Sequence, residues 1–224
     1  MAALFSLALC FALVFAAPSP NIHKNPAPQT ILFLIDDSGS AETLVPYLVK
    51  AMPAFLKQLD RESLSWSIVA YPFDPTSKTR ITIDVEKAQN AEARKEFLHL
   101  LSSWDRNGPG VEVPFEHLEV LSREKLVAVG KPLTIILVTD TDDGSNVDES
   151  LLLSGFSAQT GEGRLKIHGI FGGKTFDCPD TGDFALVYPN SKFQKLIGPT
   201  GGIARSLCKD LDASLARIAR LLPR

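Results

Sequence analysis

The sequence predicts an α/β fold: a doubly wound, mostly parallel sheet flanked by helices. Three observations predict it. Residues 31–35 (Ile-Leu-Phe-Leu-Ile) and 133–138 (Leu-Thr-Ile-Ile-Leu-Val) are short, almost wholly apolar runs, the pattern of strands buried on both faces. Each delivers an acid at its end, Asp36 directly and Asp140 after Thr139. Around them, strand-like segments alternate with segments of helical period, the order that produces parallel strands joined by crossover helices.

The elements follow in order. The first strand is expected to begin near Thr30. Leu44, Leu48, Met52, Phe55, Leu56 and Leu59 then recur at helical spacing, with Pro46 in the first turn and Pro53 expected to kink the helix. Residues 66–71 read as a strand, and the β-branched residues 79–85 as a second strand pairing antiparallel with it. Residues 88–101 are expected to be helical, with Phe97, Leu98 and Leu101 on one face. Phe115, Leu118, Leu121 and Leu126 mark another helix. After the strand at 133–138 come a helix over 147–159 and a strand over 165–171. A short helix over 192–197 and a strand over 203–207 follow. Leu211, Leu215, Ile218, Leu221 and Leu222 outline a final amphipathic helix.

The 224 residues are 45% hydrophobic and 22% charged, with net charge −3, which suits one globular domain with a substantial core. That balance offers no basic footprint for nucleic acid. Residues 1–16 are apolar except for Ser6 and lead into Ala16-Ala17-Pro18, which reads as a secretory signal cleaved after about Ala16. It departs from the usual pattern in having no Lys or Arg before the apolar core. The stretch is short for a membrane span, so none is expected after cleavage. Residues 17–29, with Pro18, Pro20, Pro26 and Pro28, form a stiff lead-in, and residues 30–224 form the domain. The expected destination is the periplasm, the cell surface or the extracellular space. Cleavage removes Cys10 and leaves Cys178 and Cys208. An even pair in an exported chain reads most simply as one disulfide, the alternative being two separate buried thiols.

Asp36, Ser38 and Ser40 alternate along the turn that leaves the first buried strand. One carboxylate and two hydroxyls are hard oxygen donors suited to Mg²⁺ or Mn²⁺. The same residues are also common in turns and helix caps. In a doubly wound sheet, ligands bind beyond the carboxyl ends of the strands, where the strand order reverses. That architecture would bring Asp140 beside Asp36, although the two lie far apart in sequence.

The spacing Asp36-x-Ser38-x-Ser40 resembles the metal-ion-dependent adhesion site (MIDAS) of von Willebrand factor A domains. Asp140 matches the Asp that follows the fourth strand in that family. The resemblance spans roughly residues 30–222 and implies a Rossmann-like fold. Asn107-Gly108-Pro109-Gly110-Val111-Glu112, the loop Asp140-Thr141-Asp142-Asp143, and Thr200-Gly201-Gly202 upstream of Cys208 resemble a bacterial exported subset. One departure stands out. The family commonly places a metal-binding Thr after the third strand, whereas this chain offers Gly108, Gly110 and Glu112 there. Glu112 is a candidate replacement, and water is another. The resemblance implies an adhesion-type module, not an enzyme. It would hold Mg²⁺ or Mn²⁺ on Asp36, Ser38, Ser40 and Asp140 and take a carboxylate from a protein partner. A metal-free structural or envelope interaction domain with a degenerate site is the alternative, and a metal-assisted exported hydrolase a weaker one.

Other features read as structure. Gly172-Gly173-Lys174-Thr175 lacks the leading Gly of a phosphate-binding loop and is expected to be a turn. Asp142, Asp143 and Asp148 suggest a solvated acidic rim, or acids at a helix start. His23, His99, His117 and His168 are scattered without zinc spacing and read as surface or satisfied structure. Trp66 and Trp104 read as core or interface aromatics.

Overall fold

The computed structural model describes residues 28–39, 44–62, 64–76, 79–84, 86–104, 113–125, 129–172 and 191–223. The expected signal, most of the lead-in, Cys10, His23, Leu126 and residues 173–175 lie outside them.

The elements are β1 (Gln29–Ile35), α1 (Leu44–Arg61), β2 (Trp66–Pro72), β3 (Ile81–Ile83), α2 (Ala91–Ser102) and α3 (Pro114–Arg123). They continue with β4 (Leu133–Thr139), α4 (Glu149–Thr160), β5 (Leu165–Phe171), α5 (Lys192–Ile197), β6 (Ala204–Ser206) and α6 (Leu211–Arg220). The described strands form one sheet in the order β3-β2-β1-β4-β5-β6. Every pairing is parallel except β2 with β3, which is antiparallel as the sequence suggested.

Alternation along the strands divides the core. Ile31, Phe33, Ile35, Ile136 and Val138 face α1, α2 and α6, while Leu32, Leu34, Ile135 and Leu137 face α3, α4 and α5. Each fully buried Leu, Ile or Phe contributes roughly 2 kcal/mol through lost water contact. Phe33 meets Phe55 of α1 edge to face, with ring centroids 5.7 Å apart. Trp66 and Trp104 are core residues, and the Arg94 guanidinium lies 5.5 Å from the centroid of the Trp66 ring. Gly202 passes so close to β5 that a Cβ would fall 1.7 Å from the Ile167 carbonyl oxygen.

Several boundaries differ from the periodicity reading, for local reasons. α2 begins at Ala91, three residues later than expected, because the Asn90 side chain accepts the Glu92 and Ala93 N–H groups and caps the helix there. α4 begins at Glu149 because Asp148 caps it through the Ser150 N–H at 2.7 Å. α1 continues through Pro53 to Arg61, its face of Leu44, Leu48, Met52, Phe55 and Leu59 buried throughout. β3 is confined to three residues. No helix among the described residues is long and apolar enough to cross a membrane.

Candidate metal centre

The strand order reverses between β1 and β4. From β1 the chain crosses to β2 on one side, and from β4 to β5 on the other, with α1 and α4 on opposite faces. β1 and β4 run in parallel register, Ile35 opposite Val138, so both strands release the chain at one edge. The Asp36 N–H donates to the Val138 carbonyl at 2.9 Å and extends that register by one residue.

The structure brings Asp36, Ser38 and Asp140 to this edge, all three buried. Asp36 is 1% exposed and Asp140 3%. The Ser38 N–H donates to Asp36 Oδ1 at 2.9 Å, so the turn itself aims the carboxylate. The Thr139 hydroxyl donates to Asp36 Oδ2 at 2.8 Å from the neighbouring strand. Thr139 is held in turn, its Oγ1 accepting the Thr141 N–H at 3.0 Å. Thr139 is a residue of this edge, bonded to Asp36, that sequence reasoning did not single out. Its signal was its place, a hydroxyl between the last buried apolar residue of β4 and Asp140. Ser40, Glu112 and the rest of 105–112 lie outside the described residues.

The edge is negatively charged. Burial holds the half-buried Asp37 carboxyl above the usual carboxylate range, and repulsion from Asp36 and Asp74 adds to it. Among the described residues, Asp36 itself takes its hydrogen bonds from neutral donors, an amide and a hydroxyl. A carboxylate buried among neutral donors benefits from a counter-charge. Each of its oxygens accepts one hydrogen bond and retains further acceptor capacity. A hard divalent cation fits this arrangement. No group of three or more His, Cys, Asp or Glu residues positioned for a metal occurs among the described residues. A cation here would therefore depend on hydroxyl and water oxygens beside two carboxylates, which suits Mg²⁺ or Mn²⁺ better than zinc.

Of the acids after β4, Asp142 and Asp148 are exposed, as a solvated rim requires, and Asp143 is not. Asp143 is buried, and its Oδ1 accepts the Phe115 N–H at 3.1 Å, in the first turn of α3. Its Oδ2 accepts the Ser145 N–H at 3.1 Å, the Ser145 hydroxyl at 2.5 Å and the Lys192 ammonium at 3.3 Å. Asp142 accepts the Lys192 backbone N–H, at 3.2 and 3.3 Å from its two oxygens, at the start of α5. Neither Val113 nor Ser191, the residues preceding those two helices, makes a side-chain cap bond. Asp142 and Asp143 thus cap two helices from a third segment. Asp148 is exposed and caps its own helix, and its bonds from Ser150 hold its carboxyl below the usual range.

Of the described histidines, His99 is at the surface and His117 and His168 are buried, His168 with one ring nitrogen lacking a partner among the described residues. His99 is exposed on α2. His117 Nδ1 lies 2.7 Å from the Pro72 carbonyl, and burial lowers its pKa. His168 is fully buried on β5, its Nδ1 accepting the Ile203 N–H at 3.1 Å. Burial, with Lys166 adding repulsion, lowers its pKa to about 4. Cys208 is partly buried against the α1 and α6 layer, while Cys178 lies outside the described residues.

No protein-family model and no curated protein sequence matches this chain. Solved structures do resemble it. One is proximal thread matrix protein 1 from the mussel byssus, with TM-score 0.57 and 14% identity over 88% of this chain and 48% of that one. The same protein with a zinc-occupied MIDAS motif gives TM-score 0.53 and 14% identity over the same shares. The pilus adhesin SpaC of Lactobacillus rhamnosus GG, in its open conformation, gives TM-score 0.56 and 16% identity over 88% of this chain and 30% of that one. The chain spans about half or less of each of these proteins. At such identities the likeness is one of fold. With the reversal of strand order at β1 and β4, it makes the described chain, in its fold, a von Willebrand factor A-like domain.

Proposed function

We propose that this domain is an exported module that binds a protein partner through a divalent cation, and that it acts by recognition rather than turnover. Asp36, Ser38 and Asp140, with Ser40, are the residues that would hold Mg²⁺ or Mn²⁺, directly or through water. When bound, the cation supplies a positive charge with a position left for a carboxylate of the partner. The observation that carries this reading is the Asp36 carboxylate, buried at the switch point and aimed by Ser38 and Thr139, both neutral donors. The similar structures support it: one carries zinc at a MIDAS motif and another is a pilus adhesin. Asp143, buried and paired with Lys192, is not part of an acidic rim that could select the partner. The partner carboxylate remains part of the proposal.

The test is calorimetry and thermal melting with Mg²⁺ and Mn²⁺ on the wild type and Asp36→Ala. Cation should raise the melting temperature of the wild type, by roughly 2.7 kcal/mol of added stability at a hundred times Kd. Asp36→Ala should lose that response, and capture of the partner should stop in chelator. A wild type indifferent to cation, and indistinguishable from Asp36→Ala, would leave the metal-free interaction domain as the reading.

A further inference from the structure

We propose that Lys192 and Asp143 form a positioning couple for the loop that carries Asp140, so that Lys192, a residue of α5, sets cation affinity without touching the cation. The inference rests on the metal reading above.

The Asp143 carboxylate joins three segments. Its side chain has no exposed surface. One oxygen accepts the Phe115 N–H, and the other accepts the Ser145 amide, the Ser145 hydroxyl and the Lys192 ammonium. A buried carboxylate is unfavourable unless it is paired and hydrogen-bonded, and Lys192 is the cation paired with it among the described residues. Asp143 lies three residues after Asp140, so anchoring it restricts the loop that presents Asp140. The same carboxylate also holds the first turn of α3 through Phe115. Lys192 reinforces both contacts. Its ammonium also donates to the Ser145 carbonyl, and its backbone N–H donates to Asp142. Below the polar cluster, Phe193 of α5 meets Phe115 of α3 at 5.4 Å and Phe171 of β5 at 5.3 Å. Neither Val113 nor Ser191 makes a side-chain cap bond, so among the described residues these helix starts take their side-chain acceptors from the two acids.

Positioning and plain electrostatics predict opposite signs. Lys192 carries a positive charge near a cation site. If it acted only through space, Lys192→Met would tighten cation binding. If it positions the loop, the same change leaves Asp143 buried without its cation, loosens residues 140–145 and weakens binding. Loss of such a supporting partner typically costs about 10- to 100-fold in metal affinity.

The experiment measures Mn²⁺ affinity by calorimetry for wild type, Lys192→Met, Lys192→Arg and Asp143→Asn. Amide hydrogen exchange over residues 140–146 is followed without metal. Lys192→Met and Asp143→Asn should bind at least about tenfold more weakly. Their 140–146 amides should exchange faster, and Lys192→Arg should restore most of the affinity. Equal or tighter binding by a folded Lys192→Met protein overturns the proposal. If the wild type binds no Mn²⁺, the cation reading fails, and exchange alone decides the positioning role. Faster exchange at 140–146 in Lys192→Met then supports the couple, and unchanged exchange overturns it. Should Asp143→Asn fail to fold, the comparison of Lys192→Met with Lys192→Arg carries the test.

Discussion

Acid should destabilise this fold in part through His168. Its ring is fully buried on the β5 face that meets α1 and α6. Nδ1 accepts the Ile203 N–H, so the neutral ring carries its proton on Nε2, and that N–H has no partner among the described residues. Protonation would place a second N–H on Nδ1, facing the Ile203 donor. Burial and the Lys166 charge oppose it as well, and the pKa falls from the usual 6.5 to about 4. The direction of linkage follows. Unfolded chains take up a proton at this residue below pH 6.5, while the folded protein resists until about pH 4. Stability is therefore complete above pH 6.5, falls as pH drops through that interval, and levels off below about 4. At about 1.4 kcal/mol per pH unit, the interval amounts to roughly 3 kcal/mol. The comparison is with His168→Asn, whose side-chain oxygen can still accept from Ile203 but does not titrate. Urea unfolding at several pH values between 7.5 and 4 would be measured for both. The wild-type advantage should shrink by roughly 3 kcal/mol across that range. His117, also held below its usual pKa by burial, remains in both proteins and cancels. An advantage that stays constant with pH, or an NMR titration of His168 centred near 6.5, would refute the reasoning.

Three further outcomes are expected. Gly202→Ala places a Cβ 1.7 Å from the Ile167 carbonyl oxygen and 2.8 Å from its carbon, both backbone atoms of β5. It should lose roughly 2–4 kcal/mol, read from the denaturant midpoint, and a wild-type midpoint would show that the β5 approach is not tight. Thr139→Val removes the donor to Asp36 and leaves the buried Thr141 N–H without its acceptor, which should cost roughly 1–3 kcal/mol and weaken Mn²⁺ binding. Thr139→Ser should recover both, and a Val variant with unaltered stability and Mn²⁺ affinity contradicts the role. Cys178 and Cys208 should be bonded in exported protein, making the non-reduced mass two hydrogens lighter. The loop of 208 − 178 = 30 positions corresponds to roughly 3.6 kcal/mol in the chain-entropy model, and two free thiols after export would rule the bond out.

Most of the sheet was legible because its signals are local. β1 and β4 are nearly all apolar, because a parallel strand covered on both faces leaves few positions for polar residues. α1 and α6 show their buried faces at helical spacing. β5 and α5 fall on the expected residues. The errors sit where a single side chain competes with periodicity. Ala88 is buried ahead of α2, yet Asn90 starts the helix by taking two amides. Val147 packs with the α4 layer, yet Asp148 is the cap. Periodicity reports which residues turn inward, and it does not report where the first intrahelical bond forms.

The candidate site divides along the same line. Asp36 and Asp140 were legible as a pair because strand ends in a doubly wound sheet converge at the reversal of strand order. The fate of the other acids was not, because it is decided by segments distant in sequence. Asp143 reaches 28 residues back to Phe115 and 49 forward to Lys192, and Asp142 reaches 50 forward to the Lys192 amide. Read alone, Asp140-Thr141-Asp142-Asp143 is a block of like charge that belongs in water. In the fold, two of its acids complete helix starts that Val113 and Ser191 leave uncapped, and a lysine balances the buried one. The signal available in the sequence was negative: Val113-Pro114 begins a helix with no capping side chain. A helix start of that kind within an α/β sheet calls for an acceptor from elsewhere. The loop beyond β4, at the edge where α3 and α5 begin, is the segment able to supply one.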